Sequence, residues 1–209
     1  MRIGIIGVNG RLGRKLYDEA VSRGHQVIGF AKEGDESRKG IHAKSLFDLT
    51  REDVKELDAL LSAFGSGFDA DPSINKLALE KMGELVQYTR IHLIAIGGAG
   101  LLYTDKTHFQ HVYQTEGHPA FLRPISENLL LGLESLQKQD GVRFTVVCPS
   151  LTFDYEGEKK GRYQVGTKQE VLYSHQGESR ISYADLAMAM VDFAEENSYV
   201  YQCVTVCEE

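Results

Sequence analysis

The apolar positions of this chain change period in a regular way. Ile3, Ile5 and Ile6 form a short apolar run after Met1 and Arg2, which fits a strand buried on both faces. From Arg11 the spacing turns helical, with Leu12, Leu16 and Ala20 on one face and Lys15, Asp18 and Glu19 off it. Gly24 is placed to end that helix in a left-handed conformation. Val27 to Ala31 then reads as a second strand, so the chain opens with a βαβ unit.

The alternation continues to the end. Strands are predicted at Ala43–Leu49, Asp58–Phe64, Ile91–Ile96, Val142–Cys148 and Val200–Val206. Between them, Thr50 begins a short helix with Asp53 three residues on, as in a capping box. Ser73 is expected to cap a helix striped by Ile74, Leu77, Ala78, Met82 and Leu85. Ser126 opens another carrying Leu129, Leu130, Leu133 and Leu136, and Ser182 caps the last, with Asp185 three residues on. Strands alternating with helices predict an α/β, doubly wound, mostly parallel sheet covered on both faces, in a single domain over residues 1–209. Two segments break the rhythm, residues 101–124 and 152–181, each too long for an ordinary connection. Both follow the C-terminal ends of strands, where open α/β sheets bind ligands.

Composition narrows the function classes. With 209 residues and 42% hydrophobic content, the chain can bury a core without a metal or disulfide staple. A net charge of −7 argues against nucleic-acid and anionic-membrane partners. The longest run free of charge and strongly polar groups, Leu93 to Tyr103, is too short for a bilayer span. The three cysteines, Cys148, Cys203 and Cys207, read as buried thiols rather than a disulfide framework, with Cys203 and Cys207 facing the same side of a strand. The N-terminus shows no signal-peptide pattern, and a cytoplasmic setting as monomer or homodimer is the expectation.

The chemistry starts at Gly7-Val8-Asn9-Gly10-Arg11-Leu12-Gly13, between the first strand and the first helix. Gly7 and Gly10 let a pyrophosphate approach the main chain, and Gly13 lets helix and strand pack closely. The helix N-terminus offers free N–H groups and a partial positive charge to phosphates. Lys32 ends the second strand, and with Arg11 it favours the 2′-phosphate of NADP(H) over NAD(H). Glu33, Asp35 and Glu36 follow, and Glu33 would take the NAD role if the strand ran one residue longer.

The G-x-x-G-x-x-G spacing resembles the extended and atypical short-chain dehydrogenase/reductases, whose domain is a Rossmann-type fold. Three later stretches narrow the likeness: Gly97-Gly98-Ala99-Gly100-Leu101-Leu102-Tyr103, Phe144-Thr145-Val146-Val147-Cys148-Pro149, and Gly177-Glu178-Ser179-Arg180-Ile181-Ser182-Tyr183-Ala184-Asp185. They resemble a bacterial group of NAD(P)H-binding atypical reductases labelled NADH-flavin reductases, related in fold to flavin/biliverdin reductases. The resemblance implies that Gly7, Asn9, Gly10, Arg11, Leu12 and Gly13 hold the pyrophosphate and that Ser45 and Leu46 border the adenine. It places Ala63, Phe64 and Gly65 along the ribose, and Gly97, Gly98 and Pro149 beside the nicotinamide.

The Tyr-x-x-x-Lys pair of ordinary superfamily members is missing from His118–Gln139. Tyr155 and Lys159 match its spacing but fall in a loop, where that spacing does not align two side chains. This argues against alcohol–ketone chemistry. Reduction of a flavin or quinone asks less of the protein, which mainly stacks and orients the rings. Tyr103, Phe109, Tyr113 and Phe153 on the two long loops are candidates for an aromatic wall, with His108 the candidate polar group. His108, His111 and His118 lack the further ligands of a metal site, so no metal is expected. Lys159, Lys160 and Arg162 read as a solvated hairpin tip. The expected activity is hydride transfer from NAD(P)H to a flavin, as substrate, or to a similar small aromatic acceptor. The rival is a non-catalytic dinucleotide sensor acting through a protein partner.

Overall fold

The computed structural model describes residues 1–35 and 37–209; Glu36 lies outside them. The first half runs β1 (Arg2–Ile6), α1 (Arg11–Ser22), β2 (Gln26–Ala31), β3 (Ile41–Ala43), α2 (Arg51–Val54), β4 (Ala59–Ser62) and α3 (Ser73–Val86). The second runs β5 (His92–Ile96), α4 (Arg123–Lys138), β6 (Phe144–Pro149), β7 (Thr152–Asp154), β8 (Gln164–Gly166), β9 (Arg180–Ser182), α5 (Tyr183–Glu196) and β10 (Gln202–Cys207). The main sheet has the order β3-β2-β1-β4-β5-β6-β10-β8. Every pairing in it is parallel except β10 with β8, which is antiparallel at the edge. One face is covered by α3 and α4 over Leu60, Leu93 and Val146, the other by α1 and α5 over Ile3, Ile5 and Val204. This is the doubly wound α/β domain that the hydrophobic pattern predicts. Its order reverses between β1 and β4, which opens a crevice at their C-terminal ends.

Local chemistry explains where elements begin and stop. Gly24 adopts φ +81° after α1, and Thr50 and Asp53 close the capping box of α2. Ser182 caps α5 by accepting from Asp185 N at 2.9 Å. The expected strand at Ala43–Leu49 is corrected: β3 ends at Ala43, and Leu46–Asp48 is a 3-10 turn. There the Ser45 hydroxyl donates to Asp48 at 2.6 Å and Lys44 pairs with Asp53, local bonds that a pleated strand would forfeit. Ser73 does not cap α3; the Asp71 carboxylate accepts its N–H at 2.9 Å instead. Helix α4 starts at Arg123, with Pro124 in its first turn, so Ser126 lies inside it.

The segment 152–181 is more ordered than an open loop. β7 and β9 form a small parallel sheet, and β8 extends the main one. The basic run in it is not a free tip, since Lys159 pairs with Glu19 and Lys160 with Glu208. All three cysteines are buried thiols. No helix among the described residues is long and apolar enough to cross a membrane.

One buried polar group ties stability to pH. Thr145 donates its hydroxyl proton to Tyr199 O at 2.8 Å, so it accepts from His92 Nε2, also at 2.8 Å. His92 therefore carries its proton on Nε2, and its Nδ1 is buried without a partner. Burial, with Arg143 adding, pushes its pKa down to about 4. As pH falls below the unfolded value near 6.5, the unfolded chain takes up a proton that the folded chain refuses until about 4. Folding loses about 3 kcal/mol across that window from this residue. Urea denaturation at about pH 7 and about pH 4 will show a stability difference between wild type and His92→Gln that changes by that amount. A difference independent of pH would refute the linkage.

Candidate functional site

The turn after β1 is built by contacts that exclude side chains. Gly7 has φ +73°, and its N–H donates to Phe30 O at 2.9 Å. Gly10 N–H donates back to Gly7 O at 2.9 Å. A Cβ on Gly13 would lie 2.1 Å from Gly7 O, so α1 rests directly on the turn. Gly10 provides no side-chain cap to α1, and the helix has no acidic residue in its first turn. Its leading N–H groups are thus left for an external anion.

Arg38, which the sequence reading missed, fastens this turn. It donates to Val8 O at 3.2 Å, to Asn9 Oδ1 at 2.6 Å and to Asp35 at 2.9 Å, with its guanidinium 5.0 Å over the Tyr17 ring. Asn9 in turn donates to Glu33 O at 2.9 Å. The Ser37 hydroxyl and then Arg38 hold the Asp35 carboxyl down to about 2. A basic residue in the loop after β2 was the available signal, but nothing local marks it as folding back.

Two cavities meet at the turn. The smaller, of about 400 Å³, lies at the ends of β1 and β2 and is lined by Gly7, Asn9, Lys32, Ser45 and Leu46 among others. The larger, of about 510 Å³, lies toward β5 and is lined by Arg11, Leu12, Gly97, Gly98 and Phe153 among others. Gly10, Ala63, Phe64, Gly65 and Ser66 line both, so they form one groove across the switch point. Gly13 and Pro149 line neither: Gly13 is buried under the turn, and Pro149 is buried at the end of β6. Arg11 and Lys32 fall in different cavities, and Arg11 sits 5.0 Å over the Tyr155 ring. They do not converge on one phosphate.

Of the five candidates Tyr103, His108, Phe109, Tyr113 and Phe153, only Phe153 reaches the groove. It stacks on Tyr183 with centroids 3.7 Å apart, and Tyr183 also lines the larger cavity. Burial raises the Tyr183 pKa, with Arg11 opposing. Tyr103 is instead sandwiched between His108 and His111, and His108 pairs with Glu170 at 2.8 Å. Phe109 is 90% exposed. Tyr155 and Lys159 serve separate partners, Arg11 and Glu19. Among the described residues no cluster of His, Cys, Asp and Glu could hold a metal.

The groove has polar side chains that the periodicity hid. Asn75 is 2% exposed in the apolar stripe of α3. Its amide donates to Ser66 Oγ at 2.9 Å and to Pro72 O at 3.0 Å, shaping the loop after β4. Ser126, from the first turn of α4, lines the larger cavity, with His118 Nε2 3.4 Å from its Oγ.

Comparison with known proteins agrees with this geometry. The model of the NAD(P)H-binding family matches residues 7–197. The chain is 33% identical to the uncharacterised protein YwnB of Bacillus subtilis, over all of this chain and 99% of that one. It is similar to the crystal structure of SP1627 from Streptococcus pneumoniae, which is provisionally named an NADH-flavin reductase. That match has a TM-score of 0.93 and 30% identity, over the whole of both chains. At fold level it also matches ChuY of Escherichia coli O157:H7, an anaerobilin reductase, with TM-score 0.76 and 15% identity, over all of this chain and 97% of that one.

Proposed function

This chain belongs to the NAD(P)H-binding family, and from that premise we propose that it is a reductase passing hydride from a reduced nicotinamide dinucleotide to a flavin or similar aromatic acceptor. The observation that carries the reading is the larger cavity, continuous with the glycine turn and walled by Phe153, Tyr183 and Leu129. A sensor needs no such open, aromatic-walled space beside the cofactor.

The residues fit the dinucleotide. The uncapped N-terminus of α1 and the space left by Gly7 and Gly10 suit a pyrophosphate, and the two cavities suit its two halves. Gly97 is bare because a Cβ there would lie 2.8 Å from Cys148 Sγ, which keeps the floor of the larger cavity flat. When bound, the reduced nicotinamide supplies the hydride. The protein's part is to orient the two rings and to keep water from the space between them. Lys32 lines the smaller cavity, and Arg38 lies beside the same turn. Lys32 favours NADP(H) over NAD(H), while Arg38, held by Val8 O, Asn9 Oδ1 and Asp35, braces the turn beside it.

Oxidation of NADPH, then NADH, with FMN in excess tests the reading, and turnover dependent on the protein is expected. Lys32→Ala will lower the NADPH-to-NADH ratio of kcat/KM about ten-fold, the value of one charge-assisted hydrogen bond. An unchanged ratio would remove Lys32 from the phosphate site. Cofactor binding without turnover on any acceptor would replace the reductase reading with the sensor.

A further inference from the structure

The larger cavity has one hydroxyl whose position suggests more than orientation. Its polar side chains are those of Arg11, Ser66, Asn75, Ser126 and Tyr183. Ser66 and Asn75 are hydrogen-bonded to each other, Arg11 covers Tyr155, and Tyr183 is stacked on Phe153. Ser126 differs from these. It is 6% exposed, and the one hydrogen-bond partner of its hydroxyl among the described residues is the imidazole of His118, 3.4 Å away. A Cβ at Gly100 would lie 2.3 Å from Ser126 Oγ, so the bare backbone there makes room for the hydroxyl. His118 is half-buried and is not itself among the residues that line the cavity.

We propose that Ser126 and His118 form a proton-delivering pair, and that the pair adapts this cavity to an acceptor bearing a carbonyl oxygen, namely a quinone. This deepens the reductase reading and rests on it. A reduced flavin spreads its charge over its own rings and draws its proton from solvent. A quinone gains its charge on an oxygen, where a positioned donor accelerates the step. The balance is simple: hydride from the reduced nicotinamide and one proton convert the quinone to the hydroquinone, and the nicotinamide is oxidised. The quinone oxygen takes the proton of Ser126 Oγ, Oγ recovers one from His118 Nε2, and the imidazole recovers one from solvent. Burial, with Arg123 adding and a backbone hydrogen bond to Leu122 opposing, lowers the His118 pKa. Ser126 is the catalytic residue of the pair and His118 acts through it. The long hydrogen bond between them is of the kind that tightens when substrate binds.

The test compares 2-methyl-1,4-naphthoquinone with FMN as acceptors for the intact protein and NADPH. Ser126→Ala and His118→Gln will each lower the quinone-to-FMN ratio of kcat/KM by ten-fold or more, of the order of a lost general acid. The solvent deuterium isotope effect on quinone reduction will fall toward one in both. A second readout needs no turnover. The naphthoquinone titrated into protein loaded with NADP+ will show an absorption shift from its hydrogen-bonded carbonyl, lost in Ser126→Ala and kept in Ser126→Thr. Equal losses with both acceptors, or an absorption shift that persists in Ser126→Ala, would overturn the proposal. Wild-type protein inert with both acceptors would overturn the reductase reading instead, while the absorption shift still decides whether Ser126 meets the quinone.

Discussion

Gly13→Ala is expected to weaken dinucleotide binding by at least about a hundred-fold, on the scale of about 3 kcal/mol of misfit in the turn. The new Cβ would sit 2.1 Å from Gly7 O and 2.7 Å from Val8 Cα, both backbone atoms. Gly7 cannot retreat, because its N–H is held by Phe30 O and its own missing Cβ lies 3.0 Å from Ala63 O. Helix α1 must therefore lift from the turn, and its leading N–H groups lose their aim. The same strain will lower Tm by roughly 6–12 °C for a chain of this size. Gly117→Ala is the control, since nothing lies within 4 Å of the added atom and the backbone there is unstrained. NADPH fluorescence titration and thermal denaturation are the measurements. A Gly13→Ala protein that binds as wild type would show that the turn does not cradle the phosphates.

The second large effect lies away from the groove. Asp185 is fully buried, and its carboxylate accepts from Lys160 N at 3.0 Å, Gly161 N at 2.8 Å and the Ser182 hydroxyl at 2.8 Å. Asp185→Ala leaves those three donors without an acceptor in a space closed to water. Each orphaned donor costs about 1 kcal/mol or more, so a loss of about 3 kcal/mol is expected in urea denaturation. Asp185→Asn keeps one acceptor oxygen but turns an NH2 toward the remaining donors, and it will fall between the two. Stability equal to wild type in Asp185→Ala would mean that water reaches these groups.

Much of this architecture was legible in the residues. The spacing of Ile3, Ile5 and Ile6 and then of Leu12, Leu16 and Ala20 is a local signal, and β1, α1 and β2 follow it closely. Ser182 with Asp185 announced α5 in the same way, although the carboxylate also serves a loop 24 and 25 residues upstream. The failures have a common cause. Ala43–Leu49 has the apolar content of a strand, but side-chain bonds from Ser45 and Lys44 fold it into a turn. Arg38 acquires its role only when the distant turn after β1 meets it, and Asn75 and Ser126 through the folding of the loops just before their helices, neither of which periodicity encodes. Of the loop aromatics expected to wall the groove, Phe153 alone lines it. Which of them faces the groove depends on how one loop docks on another.

That docking has a kinetic side. Tyr103 donates its N–H to Gln169 O at 2.7 Å and accepts from Val171 N at 3.0 Å, while Gln169 reaches back to Leu101 O at 2.7 Å. The two segments that frame the larger cavity are thus stitched into one unit, yet their joining closes a long stretch of chain. Such closures carry a large entropic cost before any contact rewards it, whereas the β1–α1–β2 unit assembles from neighbours. The β1–α1–β2 unit that carries the glycine turn is therefore expected to form early. The segments that frame the larger cavity are expected to join later. On the proposed function, a change of acceptor is expected to come through this non-local unit, with the glycine turn left intact.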